Sequence, residues 1–191
     1  MKTFNFLLCF FLICIYSSYI ESIGNKGMTW SLTNHDSVLN LDTVGCSGCN
    51  AYQGDTPCSN KLPILCVSTC GFTRPPYDSP PCPICAMPKE FYNGWSHGMF
   101  LLTPPIVGSS LLSAINMNQI CQKQFGTSFT AASHGLGKYV VGMNATNYVY
   151  NAWPTITYLS SGGWGAWGYG NLNTKSRFWI YIGDQPANCW N

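Results

Sequence analysis

Cysteine placement constrains this chain more than any other feature. Of its 11 cysteines, seven fall between residues 45 and 90: Cys46, Cys49, Cys58, Cys66, Cys70, Cys82 and Cys85. Cys121 and Cys189 follow far downstream, and Cys9 and Cys14 precede them all. Disulfides persist in oxidising compartments and are rare in the cytosol, so this density points to export and cross-linking. Pro57, Pro63, Pro75, Pro76, Pro80, Pro81, Pro83 and Pro88 crowd the same stretch and break long helices and central strands. Within it only Leu62 to Val67 reads as a short strand, and Arg74 to Pro88 is the most loop-like part. Residues 23–90 are therefore expected to form a loop-rich arm held by disulfides.

The N-terminus names the compartment. Met1-Lys2-Thr3 carries one charge, an apolar run extends from Phe4 to Tyr16, and Ser17, Ser18 and Ser22 follow. That order describes a secretory signal peptide over residues 1–22. The run is shorter than the roughly 20 residues a membrane span needs, so no membrane span is expected after signal removal. With Cys9 and Cys14 gone, nine cysteines remain, an odd number. One stays free or bonds to another chain. Asn144-Ala145-Thr146 matches the glycosylation acceptor pattern. Charged residues make up only 8% of the chain, against roughly 25% in ordinary soluble domains. The net charge of +2 comes with no basic run, which argues against nucleic acid.

From Phe91 the pattern becomes globular. Phe100 to Leu102 reads as a strand ended by Pro104-Pro105. Ser109 or Ser110 can cap a helix that runs to about Phe125, with Gly126 as its stop. Met117, Cys121, Ala114, Phe125, Leu111 and Ile115 fall on one arc of that helix, which places Cys121 on the buried side. Strand-like runs follow at Tyr139 to Met143, Tyr148 to Tyr150, Ile156 to Leu159 and Arg177 to Ile182. In the last, Phe178, Ile180 and Ile182 alternate with Arg177, Trp179 and Tyr181. Together these runs predict an α+β domain over residues 91–191, one main helix packed on an antiparallel sheet.

Two CxxC pairs, Cys46/Cys49 and Cys82/Cys85, have a spacing that can hold zinc. An oxidising compartment, and Cys58, Cys66 and Cys70 between the pairs, favour structural disulfides, so no metal and no cofactor is expected. A redox role needs the motif at a helix start beside a βαβ unit; Cys82 lies in a Pro-rich loop instead. His35, His97 and His134 are far apart, and no metalloprotease or nucleophile-elbow motif occurs. His134 is the one weak catalytic candidate, because Ser133 and Gly135 beside it would leave the ring accessible.

The Gly-aromatic stretch carries the most functional content. Trp164, Trp167 and Tyr169 alternate with Gly162, Gly163, Gly165, Gly168 and Gly170. Aromatic rings offer flat apolar faces to sugar rings, and amide and guanidinium groups bond their hydroxyls. Trp164, Trp167, Tyr169, Asn171, Arg177, Trp179 and Tyr181 are the candidate ligand-binding residues. The competing reading makes these rings core, with the glycines admitting close packing.

The motifs ICQKQFG (120–126), SHG (133–135), GGWGAWGYGN (162–171) and RFWIYIGDQPANCW (177–190), with CNAYQGDTPC (49–58) and LPILC (62–66), resemble an uncharacterised family of small secreted proteins. The resemblance implies export and names no activity. Members carry acidic residues around the position of His134; Ala131, Ala132 and Gly135 stand there here, which weakens an acid–base or metal role. The order of a Cys-bearing helix, a loop-rich stretch, a late aromatic strand and a final cysteine is similar to that of C-type-lectin-like domains. That similarity implies a Cys121–Cys189 disulfide. The calcium-site triplets of such domains are absent, so calcium-dependent sugar binding is not implied.

Three functions fit these features. A secreted non-catalytic recognition module for a glycan or surface glycoprotein leads. A structural cell-wall or matrix protein, associating through aromatic patches and the odd cysteine, is the first alternative. A secreted hydrolase built around His134 or His97 is the second.

Overall fold

The computed structural model describes residues 25–46, 48–68, 70–77, 92–136, 138–140, 158–160 and 164–191. Residues 1–22, expected to be a signal peptide, and Cys82, Cys85, Asn144 and the Tyr148 to Tyr150 run lie outside the described residues. In chain order the strands are β1 (Lys26–Gly27), β2 (Thr29–Asp36), β3 (Leu41–Gly45), β4 (Thr56–Pro57), β5 (Lys61–Leu62), β6 (Leu65–Ser68) and β7 (Asn93–Leu102). They continue as β8 (Ile106–Val107), β9 (Phe129–Ala131), β10 (Lys138–Val140), β11 (Tyr158–Ser160), β12 (Gly165–Tyr169) and β13 (Phe178–Trp179). Helix α1 (Ala114–Phe125) lies between β8 and β9. Among the described residues, one α-helix against a strand-rich, curled sheet is the coarse α+β arrangement expected, with more strand than helix.

The main sheet runs β11-β10-β7-β12-β3-β2-β13, and β6 joins it by pairing with β7 and β9. Two expectations are corrected here. The sheet is mixed, because β7 and β12 run parallel. The long passage between them, through α1, supplies the crossover that parallel neighbours require. The N-terminal region is also no separate arm: β2 and β3 lie inside the same sheet, between β12 and β13. Every residue of β3 is buried. A strand covered on both faces shows no alternation of polar and apolar residues, and that alternation is the usual mark of a strand. The turn before it is plain local chemistry. Asp36 Oδ1 accepts from the N–H groups of Val38 (2.9 Å) and Leu39 (3.0 Å). Asn40 then takes the left-handed conformation at φ 52°.

Helix α1 begins later than expected. Residues 108–110 form a 3-10 turn, and Ser113 is the cap, its Oγ accepting from Asn116 N–H at 3.0 Å. Gly126 ends the helix with φ 101°. Met117 and Cys121 face inward, while Ile115, expected on the buried arc, is 69% exposed. The short helix meets β6 and β9 along one narrow stripe, so the edges of the apolar arc stay in solvent.

Among the described residues, three disulfides join Cys46 to Cys49, Cys58 to Cys189 and Cys66 to Cys121. The Cys121–Cys189 pairing implied by the lectin-like similarity is therefore corrected. Cys121 points down from α1 onto β6, where Cys66 stands. Cys189 returns beside Gly27 and Gly108, whose missing side chains leave room for its sulfur. Cys70 is a free, exposed thiol.

Two apolar clusters lie on opposite faces of the main sheet. Trp30, Val44, Phe100, Ala166, Phe178 and Ile180 belong to the larger one. Leu41, Tyr77, Trp95 and Trp167 pack on the other face. Trp95 and Trp167 sit opposite each other in register, with ring centroids 4.5 Å apart. A third cluster joins α1 to β6 and β9 and includes Trp179.

Candidate functional site

Beyond Tyr169 the chain leaves β7, and a cleft of about 720 Å³ opens between the two. Met99, Phe100, Leu101 and Leu102 form one wall; Tyr169, Gly170, Asn171, Leu172, Asn173 and Thr174 form the other, with Asn40 and Phe72 completing it. That volume lies within the ordinary range for small-ligand sites, which are apolar with a few placed polar groups. The apolar part here includes Phe72 and the Tyr169 ring, 5.5 Å apart. Amides of Asn40, Asn171 and Asn173 and the Thr174 hydroxyl supply the polar groups. Among the described residues that line it, none is charged.

Local sequence explains why the wall parts there. Between Trp95 and Met99, β7 spends four steps where β12 spends two, from Trp167 to Tyr169. The extra residues form a bulge in which His97 adopts φ 61°. Gly168 packs against it so closely that a Cβ would run into Ser96 Oγ and the Gly98 carbonyl. Gly170 is equally constrained: a Cβ there would overlap the Asp42 carboxylate. Asp42 is fully buried. Its Oδ2 accepts from Leu172 N–H at 2.8 Å, and its Oδ1 pairs with His35 Nδ1 at 2.7 Å. This carboxylate pins the 170–172 segment and so positions Asn171 at the cleft.

Residues expected to bind ligand divide into four places. Tyr169 and Asn171 line the cleft, and the Tyr169 hydroxyl donates to the Thr73 carbonyl at 3.2 Å. Trp164 and Tyr181 gather instead around His134. The Trp164 ring is 40% exposed and stands edge-on to His134 at 6.1 Å, and the Tyr181 carbonyl accepts from His134 N–H at 2.7 Å. Trp167 and Trp179 are core residues and leave the ligand list; Trp179 Nε1 donates to the Ile106 carbonyl at 3.1 Å. Arg177 is engaged as well. Its guanidinium lies 3.1 Å from Asp55 and bonds the Thr29 hydroxyl and carbonyl, so it braces β2 rather than facing a ligand.

Burial lowers the His134 pKa below its ordinary value, and the charge of Asp184 partly opposes that shift. Its Nε2 is buried with no hydrogen-bond partner among the described residues. Neither His134 nor His97 lines the cleft, and the paired His35 and Asp42 do not line it either. Among the described residues no cluster of three or more His, Cys, Asp or Glu side chains could hold a metal. Cys46 and Cys49 are closed into their own disulfide, which removes one CxxC pair as thiolate ligands.

Sequence reasoning missed Asn40, Phe72, Met99–Leu102, Asn173 and Thr174. Alternation of Asn171, Leu172 and Asn173 was a readable signal for an amide-bearing edge. Phe72 gave none, because it sits among cysteines and prolines whose fold is set by distant contacts. Comparison with protein-family models, with curated proteins and with solved structures finds no match to this chain.

Proposed function

We propose that this protein is a secreted, non-catalytic recognition module that binds a glycan or surface glycoprotein through the cleft. The carrying observation is an uncharged cleft with aromatic and aliphatic walls and three asparagine amides. Such a surface stacks on apolar faces and bonds hydroxyl or amide groups, and it repels neither sign of charge. Among the described residues, three disulfides and no helix long and apolar enough to cross a membrane are compatible with an extracellular protein.

The test is intrinsic fluorescence of the mature protein titrated with polysaccharides, cell-wall fractions and a desialylated surface glycoprotein. Trp95 lies 5.8 Å from Tyr169 and would report occupancy. A saturable change, weakened at least tenfold in Asn171→Ala and Tyr169→Ala, is expected. Binding that survives both substitutions unchanged would remove the cleft from the account.

The wall or matrix reading retains support from one feature, the exposed free thiol of Cys70. It predicts disulfide-linked multimers on a non-reducing gel that vanish in Cys70→Ser. A monomer under both conditions would end it.

A further inference from the structure

The hydrogen-bond phase of β7 bears on what the cleft accepts. Side chains of a strand alternate between its faces, so a cavity lined by the consecutive residues Met99 to Leu102 meets β7 along its edge. In an antiparallel pair, residues alternate between bonding the partner and turning their main-chain groups the other way. Leu65 C=O accepts from Ala132 N–H at 2.8 Å, so Leu65 faces β9. Ile64 C=O accepts from Thr103 N–H at 3.2 Å, so Ile64 faces the β7 side. Cys66 therefore faces β7 too, opposite Leu101. By the same alternation Phe100 and Leu102 turn their main-chain groups away from β6.

On that other side β12 stays with β7 only as far as the Met99–Tyr169 pair. Gly170 N–H is already committed to the Asn40 carbonyl at 2.9 Å, which draws the chain toward β3. Among the described residues no strand lies opposite Leu102 across the cleft. Its N–H and C=O are the groups with which one more strand would pair, whereas Phe100 beside it is fully buried. The facing segment carries Asn171 and Asn173, whose amides can both donate and accept.

We propose that the cleft binds an extended, uncharged peptide segment of a partner protein, added as a strand along the β7 edge. Main-chain bonds to Leu102 set the register, and the walls select the side chains. Hydrogen-bond complementarity argues for this occupant: the described lining residues are uncharged, and Leu102 presents a donor and an acceptor that match a peptide backbone. A glycan would use Tyr169 and the amides but has no evenly phased N–H and C=O groups for the edge. This inference rests on the recognition reading of the same cleft.

The test uses the intact mature protein, labelled with nitrogen-15, and three probes. One is a pool of end-blocked hexapeptides alternating Val, Ile or Tyr with Ser, Thr or Asn. The second is the same pool N-methylated at alternate residues, which removes the pairing N–H groups. The third is a pair of neutral sugars, chitohexaose and cellohexaose. The first pool should shift the Leu102 amide resonance and slow its hydrogen exchange at least tenfold, and N-methylation should weaken binding at least tenfold. Leu102→Glu should abolish the response, while Leu112→Glu, at a site 70% exposed outside the cleft, should leave it intact. Equal binding of both peptide pools overturns strand addition. Binding of the sugars alone at the cleft also overturns it but keeps the recognition reading. Silence from every probe removes both.

Discussion

Removing the Cys58–Cys189 disulfide should be the most damaging single cross-link change. The two residues are 131 apart in sequence, against 55 for Cys66–Cys121 and 3 for Cys46–Cys49. Closing a loop restricts the unfolded chain, and the restriction grows with the logarithm of loop length. On the chain-entropy relation the three bonds contribute about 5, about 4 and about 2 kcal/mol. A domain has only about 5–15 kcal/mol of net stability, so loss of the first removes a third or more. The perturbation is Cys58→Ser with Cys189→Ser, which keeps small side chains in the space beside Gly27 and Gly108. Equilibrium urea unfolding measures it. Each variant needs its own extrapolation, because freeing a long loop changes the denatured state and hence the slope. The expected order of destabilisation is Cys58/Cys189, then Cys66/Cys121, then Cys46/Cys49. A loss at Cys46/Cys49 equal to that at Cys58/Cys189 would refute the loop argument. Peptide mapping that recovers a Cys121–Cys189 bond would refute the pairing itself.

Other expectations concern the cleft and the core. Gly170→Ala should cost about 1–3 kcal/mol, because its methyl group meets the buried Asp42 carboxylate; a thermal melt unchanged from the parent would contradict that packing. Trp179→Ala should cost about 3–5 kcal/mol, whereas Trp164→Ala, at the surface, should change stability by less than about 1 kcal/mol; chemical denaturation distinguishes them. For His134 the folded pKa lies below the ordinary value of about 6.5. The unfolded state then binds more protons as pH falls through that value, so stability is full above it and declines below. His134→Gln should flatten this part of the pH–stability curve, and an unaltered slope would assign it to another group.

Legibility from sequence varied with how local the determining forces are. The helix was visible because its apolar periodicity, the serines before it and Gly126 after it all act within a few residues. Its start was misplaced by a few residues because three serines, at 109, 110 and 113, offered competing caps. β3 was invisible, since a strand buried on both faces carries no alternation. The Gly-aromatic stretch was rightly singled out as unusual. Its two readings turned out to share it: Trp167 is core, while Tyr169 and Asn171 reach the cleft. No local rule separates them, because the division depends on the β7 bulge and on where the chain parts from β7. The disulfide partners were beyond sequence for the same reason. Cys66 meets Cys121 only once α1 lies across β6.

The central claim is that the cleft between Met99–Leu102 and Tyr169–Thr174 is where a partner binds. Chemical-shift mapping of the labelled mature protein, with whichever glycan or peptide probe binds, tests this most directly. The account predicts that the largest shifts fall on Phe72, Met99–Leu102 and Asn171–Thr174, with His134 and Trp164 unmoved. Shifts confined to His134, Trp164 and Tyr181, with a silent cleft, would contradict it and move the site to the opposite cluster of aromatic residues.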